Sequence, residues 1–222
     1  MAAGNQHSDK VLNVLGEISE QRDKLRQAGH ECLTAGEGAL YQIDLVVIGA
    51  VKRAVSMSAA FDQLVRAWNM VVARALLRMQ IDTAIRFGAL RIVEDPEQFA
   101  GAVLGGERID KLKDRDGHRM TDRHLVKALS PVAPWLENVY QRASGYVHMS
   151  ESFIFAPIRR LDDETRTAQF VINEEDHNFP EWSWLEVTDC FRDTTSLVLA
   201  ELNAWAELKR GLSSAPERGG RD

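Results

Sequence analysis

The sequence predicts a mainly α-helical protein: an up-and-down helical bundle with one small β-hairpin before its last helix. Two observations carry this expectation. Through most of the chain, apolar residues recur at the three-and-four spacing of a helix, in segments several turns long. The pattern changes once, over about 152–173. There Phe153, Ile154 and Phe155, and then residues 168–172, read as two strands around a polar turn at 161–165.

Ser8 and Asp9 offer a cap for a first helix over 9–27, with Val11, Leu12, Leu15, Ile18 and Leu25 on its apolar side. Residues 28–38 contain Gly29, Gly36 and Gly38 and read as a connection. An N-terminal unit at 1–38 is thus expected ahead of a main helical domain at 39–212. A helix over 39–60 is apolar nearly all round at 45–51, which predicts a central position. A third element spans 61–93, with a bend at Trp68 and Asn69. Asp95 and Pro96 end it and start a short helix, which Gly105 and Gly106 break. Pro131 and Pro134 interrupt or restart the helix before them, and 132–147 reads as a strongly periodic helix. The last helix, over 181–211, draws its buried side from Trp182, Leu185, Phe191, Leu202, Trp205 and Leu208. Residues 213–222 are small and polar and read as a disordered tail.

The totals narrow the function classes. The 222 residues suffice for one large helical domain. With 27 Lys and Arg against 33 Asp and Glu, the net charge is -6, which argues against non-specific coating of nucleic acid but permits a local basic site. Cys32 and Cys190 stand far apart and read as reduced thiols, so a cytoplasmic location is expected. The purest apolar run, 45–51, is too short to cross a bilayer, and no membrane partner is expected. No Gly-rich phosphate loop and no spaced carboxylate pair is present, so no cofactor is expected.

The chemistry concentrates at 140–150. Arg142 is a permanent planar cation suited to phosphate, and His148, six residues on, exchanges a proton near neutral pH. On a regular helix His148 lies roughly 160° from the apolar face and roughly 120° from Arg142, with Ser144 one turn before it. Arg74, Arg78, Asp82 and Arg86 recur every four residues of an otherwise apolar helix. They read either as an internal ion-pair ladder or as a cationic stripe facing an anion. The segment 107–127 has a mild basic excess. Its His118 and His124 lack companions in the local sequence, so no metal site is expected there. The five tryptophans read as packing anchors.

Long helices with Arg-x5-His at the end of a late one resemble the HEPN superfamily. The wording of 74–90, of Lys111-Leu112-Lys113-Asp114 and of Ser144-Gly145-Tyr146-Val147-His148 is similar to an uncharacterised bacterial HEPN-like family. The resemblance covers the chain from about Leu40 onward. Ala143 departs from the polar residue that often follows the family's Arg. The resemblance implies a metal-independent endoribonuclease of toxin or defence type, with Arg142 and His148 catalytic and RNA as substrate. Ser144, Tyr146, Arg78, Asp82 and Arg86 are added here as accessory candidates. A homodimer is implied, and a protein partner such as an antitoxin fits a toxin–antitoxin role. Other HEPN-like proteins are non-catalytic, which leaves a helical interaction or homodimerisation module as the alternative.

Overall fold

Val11, Leu15, Ile18 and Leu25 put one apolar stripe along the first helix, α1 (Asp9–Thr34), and all four are buried. The computed structural model describes residues 6–147, 154 and 157–214; for Tyr146, Val147, Ser213 and Ser214 it describes the backbone alone. Helix α1 does not stop at 27. It continues through Gly29, where a Cβ would stand 3.1 Å from a methyl of Val51. Gly29 is therefore a point of close helix approach, not a breaker. The chain turns instead at Gly36, Glu37 and Gly38, all at positive φ.

Helix α2 (Gln42–Arg66) starts with Asp44 accepting from the Tyr41 N–H at 2.9 Å, a reciprocal cap. The all-round apolar run at 45–51 is central on one face only. Val47 is fully buried, while Leu45 and Ile48 are 47% and 42% exposed. The expected single bent element at 61–93 is two helices. Trp68 adopts φ +58 after α2 ends, and α3 (Met70–Phe87) begins afresh. Its free N–H groups are taken by two side chains. Asn69 accepts from Val72 N at 3.0 Å, and Asp176, from the segment after the hairpin, accepts from Met70 N at 2.9 Å and Val71 N at 3.2 Å.

Asp95 caps the short α4 (Pro96–Leu104), and Thr121 caps α5 (Asp122–Leu129). Helix α6 (Leu136–Val147) follows, then the hairpin and α7 (Glu181–Ser214). The hairpin pairs β1 (Ile158–Asp162) with β2 (Thr167–Phe170), antiparallel, with Leu161 opposite Ala168. The strand expected at 153–155 lies, apart from Ile154, outside the described residues. Asp162 accepts from the N–H groups of Glu164 and Thr165 at 3.1 and 3.0 Å, which fixes the turn. Leu161, Phe170 and Ile172 stay exposed. Residues 215–222, most of the expected tail, lie outside the described residues, and Ser213 and Ser214 belong to α7.

The described residues thus form seven α-helices and one two-stranded hairpin, a mainly α fold. Helix α1 packs on α2 and α7, and α3 packs on α2, α6 and α7. One core cluster includes Leu15, Phe61, Ile81, Leu136 and Phe191, with the Phe61 and Phe191 rings stacked at 4.0 Å. A second includes Leu25, Ile43, Phe87, Leu202 and Trp205. Trp182 and Leu208, expected inside, are 66% and 52% exposed. Among the described residues no helix is long and apolar enough to cross a membrane.

Asp44 and Lys209 form a fully buried ion pair at 2.8 Å. Lys209→Ala leaves the Asp44 carboxylate buried without its cation and is expected to cost about 3–5 kcal/mol in urea denaturation. A loss under about 1 kcal/mol would show that the pair contributes little.

Candidate functional site

Helix α6 buries Leu136 and Ala143 against α3 and α7, and this sets the direction of Arg142. Ala143, at the position where the resemblance leads to the expectation of a polar residue, is buried. The Arg142 side chain is 62% exposed, and it donates to Glu186 Oε1 on α7 at 3.0 Å. Beside it lies a cleft of about 30 Å³, lined by residues of α3, α6 and α7 that include Arg74, Arg142, Ser183, Glu186 and Cys190. That volume holds a water or two, not a base. Arg74 donates to Ser183 Oγ at 2.9 Å, with its guanidinium 4.7 Å from the Phe179 ring centre. Burial pushes the Cys190 thiol up to about 12, with Glu186 adding to the effect, so Cys190 is no nucleophile at neutral pH.

Of the other predicted site residues, Ser144 bonds to its own helix, its hydroxyl donating to Tyr140 O at 3.0 Å. His148 and the side chain of Tyr146 lie outside the described residues. The α3 stripe divides. Arg74 reaches the Arg142 cleft. Arg78, Asp82 and Arg86 instead join a network with Asp122 of α5 and Tyr140 of α6. Buried Arg78 donates to Asp82 and, at 2.7 Å, to the Tyr140 hydroxyl, and it lies 3.7 Å from Asp122. Its guanidinium carbon sits 4.1 Å from the Tyr140 ring centre. Tyr140 donates to Asp122 Oδ2 at 3.2 Å, and Arg86 donates to Asp122 Oδ1 at 3.2 Å. The ladder is therefore real for Arg78 and Asp82, while Arg86 turns to Asp122. These cations bind α3 to α5 and α6.

One cluster is brought together that the local sequence hid. His118 and His124 do have a companion, Asp114. One donor atom from each of the three lies within 4.8 Å of the others. Asp114 Oδ2 is 2.7 Å from His124 Nε2, and Asp114 Oδ1 is 3.7 Å from His118 Nδ1. Asp114 Oδ1 also accepts from the N–H groups of Asp116 and His118 at 3.0 and 2.8 Å. Burial opposes the charge on Asp114. The His118 N–H, the His124 ring and the Asp116 N–H outweigh it and hold the carboxyl below the ordinary aspartate value. The visible signal was the spacing Asp-x3-His-x5-His, with Gly117 between the first two.

The arrangement defines a mainly helical bundle with a solvent-facing arginine at one three-helix junction and an imidazole–carboxylate cluster between the loop before α5 and its first turn. No family model matches the chain, and neither the curated proteins nor the solved structures give a match.

Burial raises the Tyr140 phenol above its ordinary value of 10.0, while the Arg78 charge works the other way. The folded chain thus holds this proton more tightly than the unfolded one. The corresponding stability is fully present below the unfolded phenol's pKa and is lost as pH rises through the folded value. In ultraviolet titration of wild type against Tyr140→Phe, the difference signal is expected to appear above pH 10.0. Ionisation at or below that value would contradict the buried placement.

Proposed function

We propose that this protein is a metal-independent endoribonuclease of the HEPN kind, acting on RNA phosphodiesters through Arg142 and His148. The observation that carries the reading is Arg142 itself. It is a largely exposed guanidinium next to a second arginine, Arg74, and its partner Glu186 is itself 43% exposed. A phosphate can replace that carboxylate at little cost, because the displaced Glu186 returns to water. His148 follows one residue after the end of α6.

In this reading His148 takes the proton from an RNA 2′-hydroxyl. The O2′–phosphorus bond forms, the bond to the 5′-oxygen breaks, and Arg142 stabilises the charge that gathers on the phosphorane. The leaving oxygen needs a proton from a second group. His148 of a second copy or Tyr146 supplies it, and the first of these ties the chemistry to a homodimer. The products are a 2′,3′-cyclic phosphate and a 5′-hydroxyl.

A second reading, a non-catalytic homodimerisation or interaction module, is favoured by the exposed apolar side chains of the hairpin. Ile172 is 92% exposed, and Leu161 and Phe170 are 59% and 58% exposed. An antitoxin-like protein partner belongs to either reading.

The deciding assay incubates purified chain with mixed RNA in EDTA. Cleavage to cyclic-phosphate ends is expected, and it should be lost in both Arg142→Ala and His148→Ala. If folded wild type cuts nothing and Ile172→Asp converts a dimer to monomer, the second reading takes its place. Glu186→Gln, which releases Arg142, should tighten RNA binding by no more than about fivefold, the scale of an exposed ion pair. Weaker binding in that variant would count against a phosphate at Arg142.

A further inference from the structure

Asp114, His118 and His124 hold more order than a surface cluster needs. The Asp114 side chain is 5% exposed, and two backbone N–H groups grip its Oδ1. That grip aims Oδ2 at His124 Nε2. Among the described residues, the ion-pair partners of Asp114 are the two histidines. The loop behind them is fixed independently. Asp114 N donates to His118 O at 2.9 Å, and Met120 N donates to Leu112 O at 3.0 Å. Gly117, at φ +82, makes the turn that returns His118 over Asp114. Arg115 holds the loop to the turn that follows α3, its Nε donating to Ile92 O at 3.1 Å. His124 sits in the first turn of α5, its N–H donating to the Thr121 cap at 3.3 Å.

We propose that Asp114, His118 and His124 bind a divalent transition-metal ion of the zinc class. Two imidazoles and a carboxylate are the donor set that suits zinc, cobalt or nickel, whereas magnesium and calcium demand more oxygen ligands. With bonds of roughly 2.0–2.2 Å, the donors of a tetrahedral site stand roughly 3.3–3.5 Å apart. One donor atom from each of the three residues lies within 4.8 Å of the others, so small side-chain rotations bring them to that distance. The His118 side chain, 65% exposed, has room to rotate inward. The backbone N–H groups on Asp114 then orient the ligand carboxylate as hydrogen bonds beyond a metal commonly do. Three protein ligands leave a coordination position for water, and the ion joins the 114–118 loop to the first turn of α5.

The site uses neither Arg142 nor His148, and its test reads binding, not RNA cleavage. The probe is zinc chloride, titrated by calorimetry into the full-length, tag-free chain at pH 7.5, with magnesium chloride as comparison. One equivalent of zinc is expected to bind and to raise the melting temperature, with no response to magnesium. Loss of a direct ligand should weaken binding by more than the roughly 10–100-fold typical of losing an outer partner. His118→Ala removes an exposed side chain and should lower affinity by that much without changing the circular dichroism spectrum. His124→Ala should do the same, and His30→Ala should leave binding unchanged. Absence of stoichiometric zinc binding to wild type would overturn the proposal. So would binding that survives both variants, or magnesium binding as tight as zinc.

Discussion

The bundle depends on the buried pair of Asp44 and Lys209. Each does a second job at a helix end. Lys209, on α7, donates to Cys32 O at 2.9 Å and Leu33 O at 3.4 Å, the open carbonyls of the last turn of α1. Asp44 takes the Tyr41 N–H at 2.9 Å before the first turn of α2, and the Trp205 indole of α7 at 2.8 Å. A cation thus meets a helix C-terminus and an anion a helix N-terminus, as the backbone dipoles require. The groups would be expensive to bury singly. Together they satisfy one another and hold three helices at one end.

With α1, α2 and α7 joined there, the remaining helices have defined surfaces to use. Helix α3 enters beside them once Trp68 has reversed the chain, and Asp176 reaches across from beyond the hairpin to cap it. Helices α5 and α6 then lie on α3, and the Arg78 network binds them. Arg78 meets Asp82, Asp122 and Tyr140 from three helices, so moving α6 would strand a nearly buried cation. The orientation of α6 decides that Ala143 goes inward and Arg142 outward. The exposure of Arg142 is thus a consequence of how α6 packs on α3 and α5.

The sequence made the helices legible because apolar spacing is a local property. The mainly α class, the late hairpin and the long last helix follow from it. What it hid depends on partners distant in the chain. Nothing near Gly29 distinguishes a helix breaker from a contact point, since the reason is Val51 on the next helix. Leu45 and Ile48 look as buried as Val47 until the neighbours of α2 are known. The strand that pairs with β2 is less apolar than residues 153–155, and its position is determined by Asp162 and its turn, which hydropathy alone does not reveal. The four-residue repeat revealed the Arg78–Asp82 pair, whereas Tyr140 and Asp122 come from other helices. Asp114 escaped notice as a companion of His118 and His124 because a glycine turn and a helix cap bring the three together.

The arginines of α3 and α6 differ in what they can exchange. Replacing a partner of Arg78 with a phosphate would leave Asp82 or Asp122 without its cation in a partly buried network, at a cost of a few kcal/mol. At Arg142 the displaced Glu186 returns to solvent, and the cost falls to about 1 kcal/mol or less. Burial therefore sorts these cations by role before any ligand is considered. Arg78 holds helices together because its partners cannot leave. Arg142 can meet an incoming anion because its partner can. The same logic separates the Asp114 cluster from the rest: its carboxylate keeps two backbone N–H partners even where an imidazole turns away from it.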